Sequence, residues 1–333
     1  MKNRSGINAL DLRKYNTRAI LQALKDARYA TIRELAAATG LSAVTVGSCM
    51  QSLLSDNKAR QAELKPSSGG RPSQSYRFNE LKSLALVLYT RDVGGQDLLS
   101  LRVADLYGEI LHAEDHVLSE DSLSAFTTVI DPVLIQYPSI AAIGLGIPGV
   151  EFEGSVLALD YEKLVGSPIV EHFRERYNRP LLCENDVNAA VWGSGLQGDA
   201  PETEVYLYFP HRYAPGAGIR VGRQILKGKK HYAGEIRWLP ISVEWGNTAL
   251  SEDFTAFVHA ISDVVLSVTA VLAPESIRIF GEQVTAEHVQ AVRTRCCDLF
   301  PPAVLPEIIM SSAFYAHFEA GLTDLTLKLV CDM

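Results

Sequence analysis

TIRELAAATGLSAVTVGSCMQSLL, residues 31–54, is the stretch from which the rest of the chain is read. It opens on Thr31 with Glu34 three residues on, a pairing in which the hydroxyl accepts from an orphan helix N–H and the carboxylate returns the bond. A helix begins there, with Leu35 and Ala36 on its apolar side. Gly40 breaks it, and Ser42 stands where the cap of a second helix belongs. That second helix, Ala43 to Leu54, carries Val44, Val46, Met50, Leu53 and Leu54 at helical spacing for packing, while Thr45, Ser48 and Gln51 fall elsewhere. Two short helices joined by a tight glycine-containing turn form the unit that lays its second helix in the DNA major groove, where small polar side chains approach base edges and phosphates.

The flanks extend this reading. Beyond Asp56-Asn57 the chain alternates through Ala59 and Ala62–Leu64, reaches Pro66-Ser67-Ser68-Gly69-Gly70-Arg71-Pro72, and returns through Tyr76 and Phe78. That pattern predicts a hairpin with a flexible basic tip, the wing of a winged helix-turn-helix. Upstream, Asp11 to Arg28 sets Leu12, Ala19, Ile20, Ala23 and Leu24 on one side and predicts a buttressing helix. Residues 1–80 carry 13 Lys and Arg against 6 Asp and Glu, a net of +7; the whole chain is −8, which leaves −15 for the rest. A cationic module on an acidic body binds a polyanion through one face only. A small helical domain with a solvated basic face is the plainer alternative, but cap, glycine turn, second helix and Gly-Gly-Arg-Pro wing follow one another in order.

A chain of 333 residues, 47% apolar and 21% charged, has room for two or three ordinary globular domains. No uninterrupted apolar run approaches the roughly twenty residues of a membrane span, and Met1 to Leu10 lacks the apolar core of a signal peptide, so the cytoplasm is the expected compartment and no membrane partner is expected. Cys49, Cys183, Cys296, Cys297 and Cys331 have neither C-x-x-C nor Cys/His metal spacing and read as reduced thiols. An adjacent Cys296–Cys297 bridge needs a strained ring.

After a junction at Asn79–Lys82 the pattern becomes α/β. Strands are expected at Leu84–Tyr89, Ser100–Ala104, Glu109–Val117, Ala141–Gly146, Leu181–Cys183, Glu204–Phe209, Ile219–Val221 and Ser276–Phe280. Helices are expected at Ser122–Tyr137, Pro168–Tyr177, Asp186–Leu196, Phe254–Leu272 and Ala286–Arg295. Glu184-Asn185-Asp186-Val187-Asn188-Ala189-Ala190 follows a strand and opens a helix. A carboxylate there, at the positive end of the helix dipole, stays ionised and can accept a proton from a bound hydroxyl. Alternatively Asp186 caps the helix.

Glu184 to Ala190, Gly146-Ile147-Pro148-Gly149, Gly216-Ala217-Gly218-Ile219 and Ala233-Gly234-Glu235-Ile236 occur in the order and approximate spacing of the ROK family of repressors and sugar kinases. With the winged helix in front, the chain resembles the transcriptional-regulator branch over nearly its whole length. The resemblance implies an α/β architecture: an N-terminal winged helix-turn-helix, residues 1–80, followed by a two-lobed actin-like (ribonuclease-H-like) sugar-kinase fold. The first lobe is expected over 81–183, with 313–333 returning to it, and the second, for ligand and dimerisation, over 184–312. Asp186 matches the family's catalytic base, and Asn185 and Glu235 match sugar-hydroxyl ligands.

Departures from the family matter as much. Its first phosphate loop, Asp-x-Gly-Gly-Thr-Lys in type, reads Asp92-Val93-Gly94-Gly95-Gln96-Asp97, where an anion stands in place of a phosphate donor. Its second, Gly-Thr-Gly before Gly-x-Gly-Ala-Gly, reads His211-Arg212-Tyr213-Ala214-Pro215-Gly216-Ala217-Gly218, with bulk in place of glycines that let backbone N–H groups reach phosphate. Phosphoryl transfer depends on positioning and charge stabilisation, so the kinase is expected to be inactive, Asp186 remaining as a vestigial base. The family's zinc-binding His is replaced by Trp238, no cysteine lies between Cys183 and Cys296, and residues 238–276 look shortened, so no zinc is expected. Trp238 stacks on a sugar or serves as a core or interface aromatic. Tyr161 and Glu162 stand where the family offers a sugar loop.

The expected protein is a cytoplasmic ROK-type regulator, a repressor acting as a homodimer or dimer of dimers on a double-stranded DNA operator, with no cofactor. Ser42, Thr45, Ser48 and Gln51 lie near major-groove edges and phosphates, and Arg71 reaches the minor groove. Asn185, Asp186 and Glu235 contact a sugar or sugar-derivative effector. A near-complete switch needs that effector to distinguish two states by roughly 5.5 kcal/mol. An active sugar kinase with an appended DNA-binding domain is the alternative, and a regulator answering to a protein partner through its cleft is a third reading.

Overall fold

The computed structural model describes residues 9–67, 70–118, 122–159, 168–211 and 213–331. The chain divides into two compact units, Met1–Lys82 and Ser83–Met333.

In the first unit α1 (Ala9–Ala27) leads to β1 (Tyr29–Thr31), α2 (Ile32–Thr39), α3 (Ala43–Ser55) and a hairpin of β2 (Ala59–Ser67) and β3 (Gly70–Phe78). The local signals act as their chemistry dictates. Thr31 Oγ1 accepts from Glu34 N, and the Glu34 carboxylate accepts from Thr31 N at 2.7 Å. Gly40 ends α2 at φ +71°, a left-handed conformation open to glycine without a Cβ penalty. Ser42 Oγ then caps α3 by accepting from Thr45 N at 3.1 Å. Ile20 and Leu24 of α1, Leu35 of α2, and Val46, Met50 and Leu53 of α3 bury together as the core. β3 is the middle strand, antiparallel to β1 and β2 on either side. The tip, residues 68 and 69, lies outside the described residues.

The second unit begins with β4 (Leu84–Val93), β5 (Gln96–Ala104), β6 (Ile110–Val117), α4 (Leu123–Gln136) and β7 (Ile140–Ile147). A small hairpin of β8 (Gly149–Phe152) and β9 (Ser155–Leu159) follows, then α5 (Ile169–Tyr177), β10 (Leu181–Asn185) and α6 (Asp186–Ser194). The chain continues through β11 (Thr203–Tyr208), β12 (Gly216–Val221), β13 (Gln224–Ile225), α7 (Thr248–Glu252) and α8 (Phe254–Leu272). It closes with β14 (Ser276–Phe280), α9 (Ala286–Leu299), β15 (Glu307–Met310) and α10 (Phe314–Cys331). β8, β9, α7, β15 and α10 have no counterpart among the elements expected from sequence.

The two five-stranded sheets share one plan. Their orders are β6-β5-β4-β7-β10 and β13-β12-β11-β14-β15. In each, the first strand in sequence sits centrally, antiparallel to the second and parallel to the fourth. Each sheet's last strand feeds a helix that packs on the other half: α6 lies against β11 and β12, and α10 against β4, β7 and β10. Glycines make this crossing close. A Cβ on Gly193 of α6 would stand 1.9 Å from the His317 carbonyl oxygen of α10, and one on Gly321 would stand 1.9 Å from that of Ala189. Gly218 of β12 gives the same clearance to α6, whose Val187 carbonyl oxygen lies 2.2 Å from a Cβ placed there.

α8 is long and apolar enough to cross a membrane by length and mean composition, although its apolar run is not uninterrupted. His259 and Asp263 interrupt it, and its Phe257, Ile261, Val264, Val265 and Val268 are buried in the core of the second sheet. Of the cysteines, Cys49, Cys183 and Cys296 are buried, Cys297 is exposed, and all four are free.

Candidate nucleic-acid interface and candidate ligand cleft

On α3 the buried positions 46, 49, 50 and 53 define the packing side. Position 44 is two residues, or 200°, from 46, so Val44 lies on the opposite side, 84% exposed. The assignment of Val44 to the packing face is corrected accordingly. Ser42, Ser48 and Gln51 are exposed beside it, whereas Thr45 is half-buried and its hydroxyl lies 2.9 Å from that of Ser42. Arg71 belongs to β3, but its side chain lies outside the described residues.

The second unit's cleft is built at the junction of β10 and α6. The cap of α6 is Asn185, not Asp186: Asn185 Oδ1 accepts from Val187 N and Asn188 N, both at 3.0 Å. Its Nδ2 donates to the Gly149 carbonyl oxygen at 3.2 Å, tying β8 to this corner. Asp186 is the first helical residue, buried, with its own Oδ1 accepting from Val187 N. The capping reading of Asp186 therefore passes to its neighbour, because the residue before the first helical φ/ψ is the one whose side chain can fold back onto the open N–H groups.

Two cavities flank this junction. The first, about 390 Å³, is lined by Asn185 and Glu235 together with Glu151, Glu184, Asn188 and His231. Glu184 is almost fully buried; its Oε2 pairs with Lys227 Nζ at 2.7 Å, and its Oε1 accepts from Asn188 Nδ2 at 3.3 Å. Burial pushes the Glu235 carboxyl up, against a smaller pull from Arg237. Gly234, at φ +95°, brings that turn so close that a Cβ would meet the Ala217 carbonyl oxygen at 1.9 Å. Across the opening, His231 Nδ1 lies 2.6 Å from the Glu151 carbonyl oxygen and the His231 ring meets Phe152 edge-on.

The second cavity, about 440 Å³, takes Asp186 rather than Asn185 or Glu235. Asp92, Asp97 and Glu282 line it with Thr90, Arg91, Tyr208, His211, Tyr213 and Tyr315. Gly94 and Gly95, at φ +62° and +84°, make the two-residue turn between β4 and β5. Glu282 accepts from Tyr208 Oη at 2.8 Å and from His211 N at 3.2 Å, so a backbone N–H of the loop between β11 and β12 is held by a carboxylate. Arg212, and likewise Tyr161 and Glu162, lie outside the described residues.

Trp238 is 73% exposed, lies under the Arg237 guanidinium at 5.3 Å, and lines neither cavity. It is thus neither a core aromatic nor a wall of the ligand space. The residues present do not fit a zinc ion: Trp238 offers no lone pair, and no three His, Cys, Asp or Glu gather suitably among the described residues. Sequence reasoning had passed over Glu184, Asn188, His231 and Lys227. The first two lie inside the Glu184–Ala190 motif, Glu184 near the end of β10 and Asn188 in the first turn of α6, and that motif was the available signal; nothing in the sequence marked the other two.

Comparison with known proteins gives the setting of this geometry. A family model described as ROK family matches residues 89–290, and one described as winged helix-turn-helix DNA-binding matches residues 13–58. The xylose repressor of Bacillus spizizenii is 23% identical over 246 residues, 69% of this chain and 61% of the repressor. The chain spans less than two thirds of the length of the curated relatives it matches first. A crystal structure of a ROK family transcriptional regulator, a homolog of the E. coli MLC protein, superposes with a TM-score of 0.67 at 17% identity, covering 96% of this chain and 97% of that one. The ROK hexokinase of Thermus thermophilus gives 0.59 at 18% identity over 75% of this chain and 100% of its own.

Proposed function

We propose, from the premise that this chain belongs to the ROK family, that it is a DNA-binding transcriptional repressor whose kinase-like body senses a sugar or sugar derivative and transfers no phosphate. The observation that carries the DNA reading is the bare face of α3, with Val44, Ser48 and Gln51 exposed on a unit whose first 80 residues carry a net +7. Ser42 at the helix N-terminus serves a phosphate, Thr45 braces Ser42, and Ser48 and Gln51 read base edges. Arg71 on the wing reaches the minor groove.

Loss of catalysis is supported by the cavity beside Asp186. Four carboxylates, Asp92, Asp97, Asp186 and Glu282, line the space where a nucleotide's phosphates would need cations and open N–H groups, and Arg91, the one arginine among the described residues of that lining, is engaged by Asp115 at 2.8 Å. The sugar-sensing role is supported by Asn185 and Glu235 lining one cavity. Names of relatives such as the xylose repressor point to a small sugar as the class. The protein acts in the cytoplasm as a homodimer or dimer of dimers. Its functional parts are residues 1–80 for DNA, 81–183 with 313–333 as the first lobe, and 184–312 as the second, for ligand and dimerisation.

One observation favours a second reading, an active sugar kinase carrying a DNA-binding domain: Asp186 stands in the first turn of α6, at the positive end of the helix dipole. Two measurements separate the readings. Selection of DNA from a randomised pool by the purified chain should return a preferred sequence with dyad symmetry, and failure to enrich any sequence removes the repressor. Sugar-dependent ATP consumption across a monosaccharide panel should stay at background; turnover establishes the kinase.

A further inference from the structure

The cavity that holds Asn185 and Glu235 is rich in hydrogen-bond acceptors and poor in donors. Asn188 is 4% exposed; its Nδ2 faces the Glu184 carboxylate, which fixes the amide so that Oδ1 is the other end, and Oδ1 has no hydrogen-bond partner among the described residues. A buried amide oxygen without a donor is costly unless a ligand supplies one. The Glu235 carboxylate, half-buried in the same wall, accepts no hydrogen bond among the described residues. The Glu151 carbonyl can only accept, so the bond to it makes His231 Nδ1 the protonated nitrogen. In neutral His231 the lone pair is then on Nε2.

Charge points the same way. Glu151, Glu184 and Glu235 all line the cavity; Lys227 neutralises Glu184, and Arg237 offsets Glu235 less than burial penalises it. The Glu151 carboxylate also accepts from Gly154 N at 2.7 Å, a bond that turns the β8–β9 hairpin but brings no charge. On the donor side, the Asn185 amide already serves Gly149, and Lys227 serves Glu184. A neutral sugar's hydroxyls both donate and accept, so they leave the surplus negative charge unanswered. A phosphorylated sugar adds to it.

We infer that the effector of this cavity carries a free amine, an amino sugar or amino polyol whose ammonium group donates to Glu235 and Asn188. The inference rests on the sugar-sensing reading of the cleft and narrows it. An ammonium brings three donors and one positive charge on a small head, which matches two acceptors without donors and a carboxylate that Arg237 offsets only in part. Acetylating the amine removes the charge and leaves a single N–H.

Isothermal titration of the full chain with matched probes tests this: D-glucosamine, D-mannosamine and D-galactosamine against D-glucose, D-mannose, D-galactose and D-xylose, with N-acetyl-D-glucosamine and D-glucosamine 6-phosphate alongside. At least one amine should bind about tenfold or more tightly than its hydroxyl, acetylated and phosphorylated counterparts. In Glu235→Gln that preference should fall toward unity while the protein keeps its thermal transition. Equal binding of an amine and its neutral counterpart overturns the inference and leaves the sugar-sensing cleft standing. Binding of none of the probes removes the cleft's role and the inference together. A preference that survives Glu235→Gln overturns the assignment of Glu235 as the counter-ion.

Discussion

Glu204 is fully enclosed, yet every one of its lone-pair directions is answered. Oε2 accepts from Ser194 Oγ at 2.5 Å and faces Arg220 at 3.4 Å, while Oε1 accepts from Arg278 Nε at 2.6 Å and Ser276 Oγ at 3.2 Å. Burial alone raises its pKa, but the bonds from Ser194 and Arg278 and the charges of both arginines outweigh it and hold the carboxyl below its ordinary value. A depressed native pKa contributes stability that is present above the unfolded pKa and lost as pH falls through the native one. Glu204→Gln should therefore cost about 3–5 kcal/mol in urea unfolding at pH 7, since it leaves two guanidinium groups facing an amide. The gap from wild type should narrow as pH drops below the usual carboxylate range; a constant gap would mean the charge is not what matters. Val44 invites a test at the same scale. An exposed valine on a reading face suits a thymine methyl, so Val44→Ala should weaken operator binding by about 1–3 kcal/mol at one base pair per half-site. Replacing that thymine with deoxyuridine should cost wild type the same and the variant nothing, as read by fluorescence anisotropy. At this scale the sequence was legible where a residue acts on its own backbone, as Thr31, Glu34, Gly40 and Ser42 do. It misled where the partner is set by helix phase, as at Val44, or by one residue of cap register, as at Asn185 and Asp186.

Among the elements, α6 and α10 join the halves of the second unit. Each follows the outermost strand of one sheet and packs on the other, and each uses a glycine to admit the other's backbone. At Gly193 and Gly321 an added methyl meets a main-chain carbonyl, which cannot rotate away as a side chain would. Gly193→Ala and Gly321→Ala should each destabilise by about 1–3 kcal/mol or more through overpacking, although alanine is the better helix former. In differential scanning calorimetry both should lower the transition of the second unit, and an unchanged or higher midpoint would show the helices free to separate. Most strands and helices here could be read from apolar runs and periodicity, because β4 and β7 bury nearly continuous hydrophobic stretches and α8 buries one apolar face. The shared plan of the two sheets could not. It lies in pairing between strands far apart in sequence, such as Glu204 to Ser276, and local composition carries no record of that partner. The second cavity likewise exists only because Tyr208, Glu282 and Tyr315, distant along the chain, meet over Asp186.

For the molecule as a whole, the division of charge, +7 on residues 1–80 and −15 on the remainder, sets how the proposed repressor would meet DNA. Attraction is confined to one unit and the rest repels, so affinity for any DNA should fall steeply with salt while discrimination between operator and random sequence, which rests on base contacts, changes far less. Sensing adds a stricter constraint. If an effector bound in the cleft lowers operator affinity, it does so by favouring a state that holds DNA less well, and the coupling free energy belongs to both ligands at once. The operator must then weaken effector binding by the same factor by which the effector weakens operator binding. Titrating a stabilising amino sugar into the free protein and into the protein saturated with operator measures one side; anisotropy of labelled operator with and without that sugar measures the other. The expected ratio is the same in both, in the range of about 5–150-fold for couplings of roughly 1–3 kcal/mol. A sugar that binds the free and the operator-bound protein equally cannot release DNA however tightly it binds, and that outcome would separate the cleft from regulation even with the DNA-binding unit and the cavity both intact.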